Sequence, residues 1–301
     1  MKIYSLRRII LWLAVILFLI SLAGLVERFA FGYGPEFHLK PKFAHPGDLV
    51  LLELKGAGKD AEVSGSFDGK VVKMFRRGNR YIGFAAVPLA QREGAVGAAV
   101  NINPPAGKYA AGGNNGPQII EIKYEIKPKK WPVVKVPEYP PLSPEKFAKY
   151  AAEKSAIKTA LVTYTDKPLW DKPFISPLPE LFETSPFGEN RVSPVKTRWH
   201  RGTDFRAAEG QEIRAMASGR VILIGDYVFE GKNVILDHGL GLQTLYMHLS
   251  KISVKEGQMV GRGEVIGYAG KTGDSTGPHL HLETRVDGEA VEPLQILELS
   301  K

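Results

Sequence analysis

Two short motifs far apart in the chain constrain the fold most strongly, because their side chains suggest a common function only if they meet in space. The first motif, at residues 200–204, reads HRGTD, and the second, at residues 277–283, reads GPHLHLE. Another histidine, His248, lies between them, so that four of the 7 histidines belong to this set. Histidines scattered through a core would not be concentrated in this way, and the concentration indicates one metal site.

The residue types in the motifs favour zinc. His200, Asp204 and His281 offer two imidazoles and one carboxylate, and a catalytic zinc site has three such ligands and an open position for water. Magnesium and calcium prefer oxygen ligands alone. The spacing is workable, because residues two or four apart in an extended segment point to the same face. Gly202 allows a close approach of the backbone.

Two histidines remain outside this ligand set. A hydrolase needs groups that transfer protons and stabilise the oxyanion, and His248 and His279 can fill both roles near neutral pH. Zinc itself lowers the pKa of bound water to about 7 and polarises a scissile carbonyl. The alternative, that each histidine is an ordinary surface or core residue, suits either motif alone better than it suits their joint occurrence.

The motifs resemble those of the lysostaphin/LytM-type zinc metallopeptidases, which cleave peptide bonds in peptidoglycan. The family pattern His-x-Gly-x-Asp, Tyr-x-His-Leu and Thr-Gly-Pro-His-Leu-His is matched at residues 200–204, 246–249 and 276–281. Three flanking segments are also similar, namely residues 185–188, 231–239 and 254–270. The resemblance covers about residues 174–295.

This resemblance implies a role for each motif residue. His200, Asp204 and His281 would be the zinc ligands, and His248 and His279 would be the catalytic histidines. No motif position departs from the family pattern, so the resemblance implies an active enzyme. It does not make His238 a ligand, and this histidine at a glycine-rich turn is interpreted as structural.

The composition favours a mainly β fold. The chain contains 32 glycines and 21 prolines among many short apolar runs, a pattern more typical of strands and turns than of helical bundles. A hydrophobic content of 44% in 301 residues is enough for the packed cores of two modest domains. The absence of cysteine excludes disulfides, thiol catalysis and zinc fingers.

The N-terminal region predicts export. Residues 9–26 form an uncharged apolar run that follows Lys2, Arg7 and Arg8. As a helix this run would span about 27 Å, close to the thickness of a hydrocarbon core. The positive-inside rule keeps the N-terminus in the cytoplasm. We therefore predict a membrane-anchor helix within residues 1–34 and a catalytic part in the cell envelope; a cleaved signal peptide, giving a secreted form, is the alternative.

The charge distribution limits the partners. The net charge is +8, yet residues 173–301 carry −3, so the positive excess lies outside the catalytic region. An exported chain without an RNA-binding motif is not expected to bind nucleic acid. Anionic wall polymer or lipid is a better partner for the basic part, although simple solvation explains the charge equally well.

Three regions follow the anchor. Residues 35–127 contain short β-like segments, typical of an antiparallel β-sandwich acting as a spacer or regulatory domain. Residues 128–172 begin with a proline-rich stretch that predicts an extended linker, and a short helix should run from Ser143-Pro144 to about Leu161. Residues 173–301 predict an antiparallel β-sheet peptidase domain with the zinc groove on one face.

The predicted function is zinc-dependent hydrolysis of a peptide bond in peptidoglycan cross-links. The anchor and the lack of wall-binding repeats favour D,D-endopeptidase action on direct cross-links over the cutting of glycine bridges. The alternative is a non-catalytic envelope module that binds the wall or activates another hydrolase. The linker could extend roughly 50 Å towards the wall, and it would also permit residues 35–127 to fold over the groove.

Overall fold

The computed structural model describes residues 34–105, 116–138 and 141–301. The predicted membrane anchor at residues 1–34 lies outside the described residues, apart from Gly34. Within the described ranges, no helix is long and apolar enough to cross a membrane. The described fold consists mainly of antiparallel sheets with few helices, which confirms the predicted mainly β class.

Residues 36–126 contribute two four-stranded antiparallel sheets. The first has the order β1-β2-β6-β5, with bounds β1 (Glu36–Lys40), β2 (Leu49–Lys55), β5 (Phe75–Arg77) and β6 (Arg80–Ala86). The second has the order β4-β3-β7-β8, with bounds β3 (Glu62–Phe67), β4 (Lys70–Lys73), β7 (Gly94–Asn103) and β8 (Gln118–Ile126).

These two sheets pack face to face because apolar residues alternate along their strands. In β1 only Phe37 and Leu39 are buried, and they share one core with Tyr124 of β8. Strand β2 departs from the alternation, since every residue from Leu49 to Leu54 is buried. Its second face therefore contacts another part of the chain.

The C-terminal part forms a ten-stranded sheet whose main path is β10-β13-β20-β17-β16-β15-β18. The first strands are β10 (Glu183–Ser185), β13 (Thr203–Arg206), β14 (Glu212–Arg214), β15 (Gly219–Tyr227) and β16 (Gly231–Asp237). The others are β17 (Leu242–Ile252), β18 (Met259–Val260), β19 (Val265–Ala269), β20 (His279–Val286) and β21 (Glu289–Val291). Strand β14 pairs with β19, β19 also pairs with β17, and β21 pairs with β20.

The two faces of this sheet have different surroundings. Leu280 and Leu282 of β20 belong to the main hydrophobic core together with Phe205 of β13. Because side chains alternate along a strand, His279 and His281 point to the opposite face. The histidine motif therefore lies on one side of the sheet, and the main core lies on the other.

A helix covers part of the histidine face. Helix α1 (Pro144–Leu161) begins after Ser143, whose side chain accepts a hydrogen bond from the Lys146 N–H, so the predicted helix and its cap are confirmed. Its residue Ala160 packs with Leu245 and Met247 of β17. These two residues share the face of His281, because Leu245 pairs with Glu283 and Met247 pairs with His281. A short helix, α2 (Gln295–Leu299), follows near the C-terminus.

The proline-rich segment does not behave as the unpaired linker that its composition predicts. Strand β9 (Val133–Lys135) pairs in parallel with β11 (Asn190–Val192), which pairs in turn with β12 (Thr197–Trp199). The Trp131 ring contacts the rings of Phe187 and Trp199, with centroids 5.9 and 6.0 Å apart. The β-branched Val133 and Val134 can join a sheet even though prolines flank them. Residues 131–136 are therefore part of the folded C-terminal unit.

The β-sandwich also packs directly against the C-terminal sheet. Leu49, Leu51 and Ile82 belong to the same buried cluster as Trp170 and Leu282. This contact involves the face of the sheet away from His281. The packing differs from the predicted arrangement in which residues 35–127 could fold over the groove.

Candidate metal centre

Three side-chain donors converge on the histidine face of the sheet. His200 Nε2 lies 3.2 Å from Asp204 Oδ1 and 3.1 Å from His281 Nδ1. Asp204 Oδ1 lies 2.7 Å from His281 Nδ1. These three residues form the only group in the described part of the chain with the donor types and proximity to hold a metal ion. The sequence predicted the same three residues.

Two neighbouring strands position this group. Asp204 on β13 pairs directly with His281 on β20, so both side chains stand on one face. His200 precedes β13 and follows β12, so it reaches the site from a loop. Gly202 in this loop has no room for a side chain, because a Cβ there would lie 2.4 Å from the Leu282 carbonyl oxygen and 2.6 Å from His281 Nε2. The glycine is required for the close approach of this loop to the ligand.

Hydrogen bonds on the far side of each imidazole fix the ring orientation. His200 Nδ1 donates to the Pro186 carbonyl at 2.8 Å, which leaves Nε2 free to face Asp204. His281 Nε2 lies 3.3 Å from Glu283 Oε1, and Arg285 hydrogen-bonds the other oxygen of Glu283. Such outer partners orient metal-binding histidines and raise their basicity. Glu283 and Arg285 therefore support the ligand His281, a role that the sequence did not predict.

Arg191 holds the remaining oxygen of Asp204. Its guanidinium donates to Asp204 Oδ2 at 3.2 Å, to Glu189 Oε1 at 3.0 Å and to Ser185 Oγ at 3.0 Å. Burial opposes ionisation of Asp204, but the adjacent imidazoles of His200 and His281 together hold its pKa well below its usual range. The carboxylate is therefore ionised and oriented. Arg191 follows residues 185–188, one of the segments that resemble the family, but the sequence predicted no role for it.

His248 and His279 lie next to the three donors. Their ring centroids are 4.7 Å apart, and the centroid of His248 is 5.9 Å from that of His281. His279 Nε2 lies 3.7 Å from Asp204 Oδ1. The structure therefore brings together all five predicted site residues.

Each of these two histidines donates a hydrogen bond to a backbone carbonyl. His248 Nδ1 donates to Thr272 and His279 Nδ1 donates to Gly277, both at 2.9 Å. In the neutral rings this arrangement leaves Nε2 as the acceptor. Burial, assisted by the nearby His281, lowers the pKa of His248 to about 4. His248 is therefore a neutral base at physiological pH.

The backbone at His248 is strained. Its φ is +61°, in the left-handed region that residues other than glycine rarely adopt. The strain occurs at a β-bulge, because Met247 and His248 together face only Asn233 between the paired residues of β16 and β17. The His248 N–H is satisfied by the Glu230 carbonyl at 3.0 Å. Strained residues of this kind are concentrated at functional sites.

The donor set fits a zinc ion. It provides two imidazole nitrogens and one carboxylate oxygen, and each ligand is held by a partner on its outer side. A site for magnesium or calcium would consist of oxygen donors. The chemistry of the residues present therefore agrees with the predicted Zn²⁺.

His238 has no part in this centre, in agreement with its structural interpretation. It is fully buried, its Nδ1 donates to the Ser218 carbonyl at 2.9 Å, and its Nε2 lies 2.7 Å from Thr244 Oγ1. Burial lowers the pKa of His238 to about 4. The ring is a satisfied core residue.

Comparisons with known proteins agree with this geometry. Residues 198–293 match the model of peptidase family M23. DD-carboxypeptidase/endopeptidase Mpg of Neisseria meningitidis is 44% identical over 124 residues, which are 40% of this chain and 28% of that protein. Peptidoglycan DD-endopeptidase ShyA of Vibrio cholerae is 41% identical over 114 residues, which are 37% of this chain and 26% of that protein. The chain thus spans about a quarter of the length of these curated relatives.

One solved structure extends the likeness beyond the metal centre. A crystal structure of a Pseudomonas aeruginosa protein assigned to peptidase M23 is 31% identical, with a TM-score of 0.60. The match covers 84% of this chain and 94% of that one. It therefore includes much of the region before the catalytic motifs.

Proposed function

The chain belongs to peptidase family M23, and on this basis we propose that it is a zinc-dependent peptidoglycan hydrolase that cleaves a peptide bond in cell-wall cross-links. The observation that carries the proposal is the convergence of His200, Asp204 and His281 beside two further histidines whose outer nitrogens are fixed. The name of the Vibrio relative gives peptidoglycan as the substrate of that protein, which supports the same substrate class here.

His200, Asp204 and His281 would hold the zinc ion. When bound, zinc would polarise the scissile carbonyl and make water in the site more acidic. Arg191, Pro186 and Glu283 keep the three ligands in place from outside. Helix α1 covers a neighbouring part of the same face, where Ala160 packs with Leu245 and Met247.

His248 and His279 would handle the protons. His248 is neutral and presents Nε2, so it can accept a proton from the attacking water. The protonated ring can then pass this proton to the leaving amine. His279, whose Nε2 lies 3.7 Å from Asp204 Oδ1, would stabilise the negative oxygen of the tetrahedral stage as an imidazolium, in which Nε2 also carries a hydrogen to donate.

The bond we propose is the D,D bond of a direct cross-link. The names of the relatives from Neisseria and Vibrio include DD-endopeptidase activity, and this supports the choice over glycine bridges.

We also propose a location in the cell envelope, with an anchor formed by the apolar run at residues 9–26 and the catalytic part outside the cytoplasm. Contact of the basic N-terminal regions with anionic wall polymer or lipid belongs to the same proposal.

The test uses the chain from residue 34 onwards with purified sacculi of two kinds, one directly cross-linked and one with glycine bridges. Release of D,D-cleaved muropeptides, identified by mass spectrometry, is expected only from the direct cross-links. A chelator should stop the release, and added zinc should restore it. Full activity without metal, or products cut only at glycine, would contradict the proposal.

The alternative, a non-catalytic module that binds the wall or activates another hydrolase, is less well supported because the whole predicted ligand set is in place. A His281→Ala variant separates the two functions. It should bind no zinc and release no products, whereas a binding module would keep its effect on wall turnover.

A further inference from the structure

An exposed cation stands next to the metal centre on the same face of the sheet. Arg206 on β13 pairs directly with His279 on β20, as Asp204 pairs with His281. The Cβ atoms of such directly opposed residues are about 5 Å apart and lie on one face. Arg206 therefore follows Asp204 on the face of the sheet that carries the metal centre, two residues away and about 7 Å along the strand.

The Arg206 guanidinium is supported by an aromatic ring. Its central carbon lies 4.0 Å from the centroid of Phe182, and its backbone N–H donates to the Phe182 carbonyl at 2.9 Å. The Phe182 side chain is itself 55% exposed, so the ring and the guanidinium that it supports are both open to solvent. A guanidinium that is already stacked on a ring loses less conformational entropy when it binds a planar anion.

No acidic side chain among the described residues forms an ion pair with Arg206. The neighbouring Glu183 pairs with Phe205, so its side chain points to the other face of the sheet. There, burial raises the pKa of Glu292, and the negative charge of Glu183 adds to this rise. Among the described residues, Arg206 is thus a cation without a counter-charge, directly across from a proposed catalytic histidine. An isolated, oriented guanidinium is suited to bind a carboxylate.

We propose that Arg206, supported by Phe182, binds a carboxylate of an acidic peptide substrate and so determines specificity. An extended peptide advances about 3.4 Å per residue, so a cation about 7 Å from the metal ligand meets a group one or two residues from the scissile bond. The inference rests on the proposed peptidase function for its biological meaning. The binding of a carboxylate requires only Arg206 and Phe182.

The experiment uses two synthetic cross-linked peptides that differ in one group near the scissile bond, a free carboxylate in one and a carboxamide in the other. Turnover is measured with zinc present, and binding is measured separately by calorimetry on the metal-free protein. The wild-type chain should prefer the carboxylate peptide by about tenfold in kcat/KM and in affinity, the size of one charge-assisted contact.

Arg206→Gln should reduce this preference to near one, because the loss of turnover and of affinity should be larger for the carboxylate peptide than for the carboxamide peptide. Arg206→Lys should keep part of the preference, and Phe182→Leu should weaken it. The matched control is Arg220→Gln, since Arg220 is an exposed arginine on β15 of the same sheet, distant from β20 in strand order. Its preference should equal that of the wild type.

The two measurements separate this proposal from the function it rests on. If both peptides are cut and bound equally well by the wild type, the role of Arg206 is refuted and the peptidase function stands. If nothing is cut but the carboxylate peptide binds better and Arg206→Gln removes the difference, the binding role stands and the proposed reaction does not. A preference that survives in Arg206→Gln refutes the inference in either assay.

Discussion

Asp204 and His281 are directly opposed on neighbouring antiparallel strands, with Asp204 Oδ1 2.7 Å from His281 Nδ1. Their positions in the sequence are far apart, so the pair forms only when β13 and β20 have joined the sheet. Once the sheet is formed, the backbone hydrogen bonds on both strands hold the two donors in register. The rigidity of the metal centre therefore derives from the sheet, and only His200 depends on a loop.

Gly202→Ala tests that loop. The added Cβ would lie 2.4 Å from the Leu282 carbonyl oxygen and 2.6 Å from His281 Nε2, so the loop or the ligand must shift. We expect the free energy of unfolding to fall by about 1–3 kcal/mol and zinc affinity to fall with it. Chemical denaturation and a competition assay with a chromophoric chelator measure the two quantities. Gly97→Ala, at a strand position with open space, is the control and should change neither.

Arg191 should matter through Asp204 rather than through contact with substrate. Replacing it by glutamine removes the hydrogen bond to Asp204 Oδ2 and the links to Glu189 and Ser185. Zinc affinity should fall by about 10–100-fold, as for other partners of metal ligands. Arg191→Lys keeps the positive charge but loses the several N–H donors of the planar guanidinium. Its zinc affinity should therefore lie between those of the wild type and Arg191→Gln. Unchanged zinc affinity in Arg191→Gln would show that Asp204 needs no outer support.

The sequence alone predicted the chemistry of the centre better than its surroundings. His200, Asp204, His248, His279 and His281 carry donor atoms in recognisable spacings, so their meeting could be inferred. The roles of Arg191 and Glu283 could not, because salt bridges and hydrogen bonds to ligands depend on which strands become neighbours. Arg191 lies in a short polar segment, and nothing in that segment indicates which carboxylate its guanidinium will contact.

The arrangement of the regions was also beyond sequence reasoning. The prolines around Val133 and Val134 are typical of a linker, yet the two valines pair with β11. Local propensity predicts what a segment prefers in isolation, and tertiary packing decides otherwise here. The burial of Leu49 and Leu51 on the second face of β2 is visible in the sequence only as a continuous apolar run, which does not identify its partner.

His238 makes the stability depend on pH. Burial lowers its pKa to about 4 in the folded chain, against about 6.5 when unfolded. Between these values the unfolded chain binds the extra proton, so the folded state loses stability as the pH falls from about 6.5 towards 4. The loss between pH 7 and pH 5 should be about 2 kcal/mol from this residue.

Chemical denaturation of metal-free protein at the two pH values measures this loss. His238→Gln removes the titrating group, so its stability should fall less than that of the wild type over the same interval, even if the variant is less stable at both pH values. The other acid-sensitive groups, including His248, remain in both proteins and cancel in the comparison. Equal losses in the two proteins would mean that His238 does not stay neutral in the fold.

The β-sandwich should act as a structural support and not as a cover over the groove. Leu51 is buried at the contact between the sandwich and the C-terminal sheet, on the side away from the metal centre. Leu51→Ala should lower the free energy of unfolding by about 2–5 kcal/mol without raising turnover at a temperature where the variant is folded. The control is Ile119→Ala, because Ile119 is 65% exposed on β8 and should tolerate the change.

A truncated chain of residues 173–301 alone should be less stable and no more active. It loses Trp170 and Leu51 from its core, so it should melt at a lower temperature than the chain from residue 34. It should also turn over wall substrate no faster. Faster turnover by the shorter chain, with no loss of stability, would instead mean that the N-terminal region restrains the enzyme.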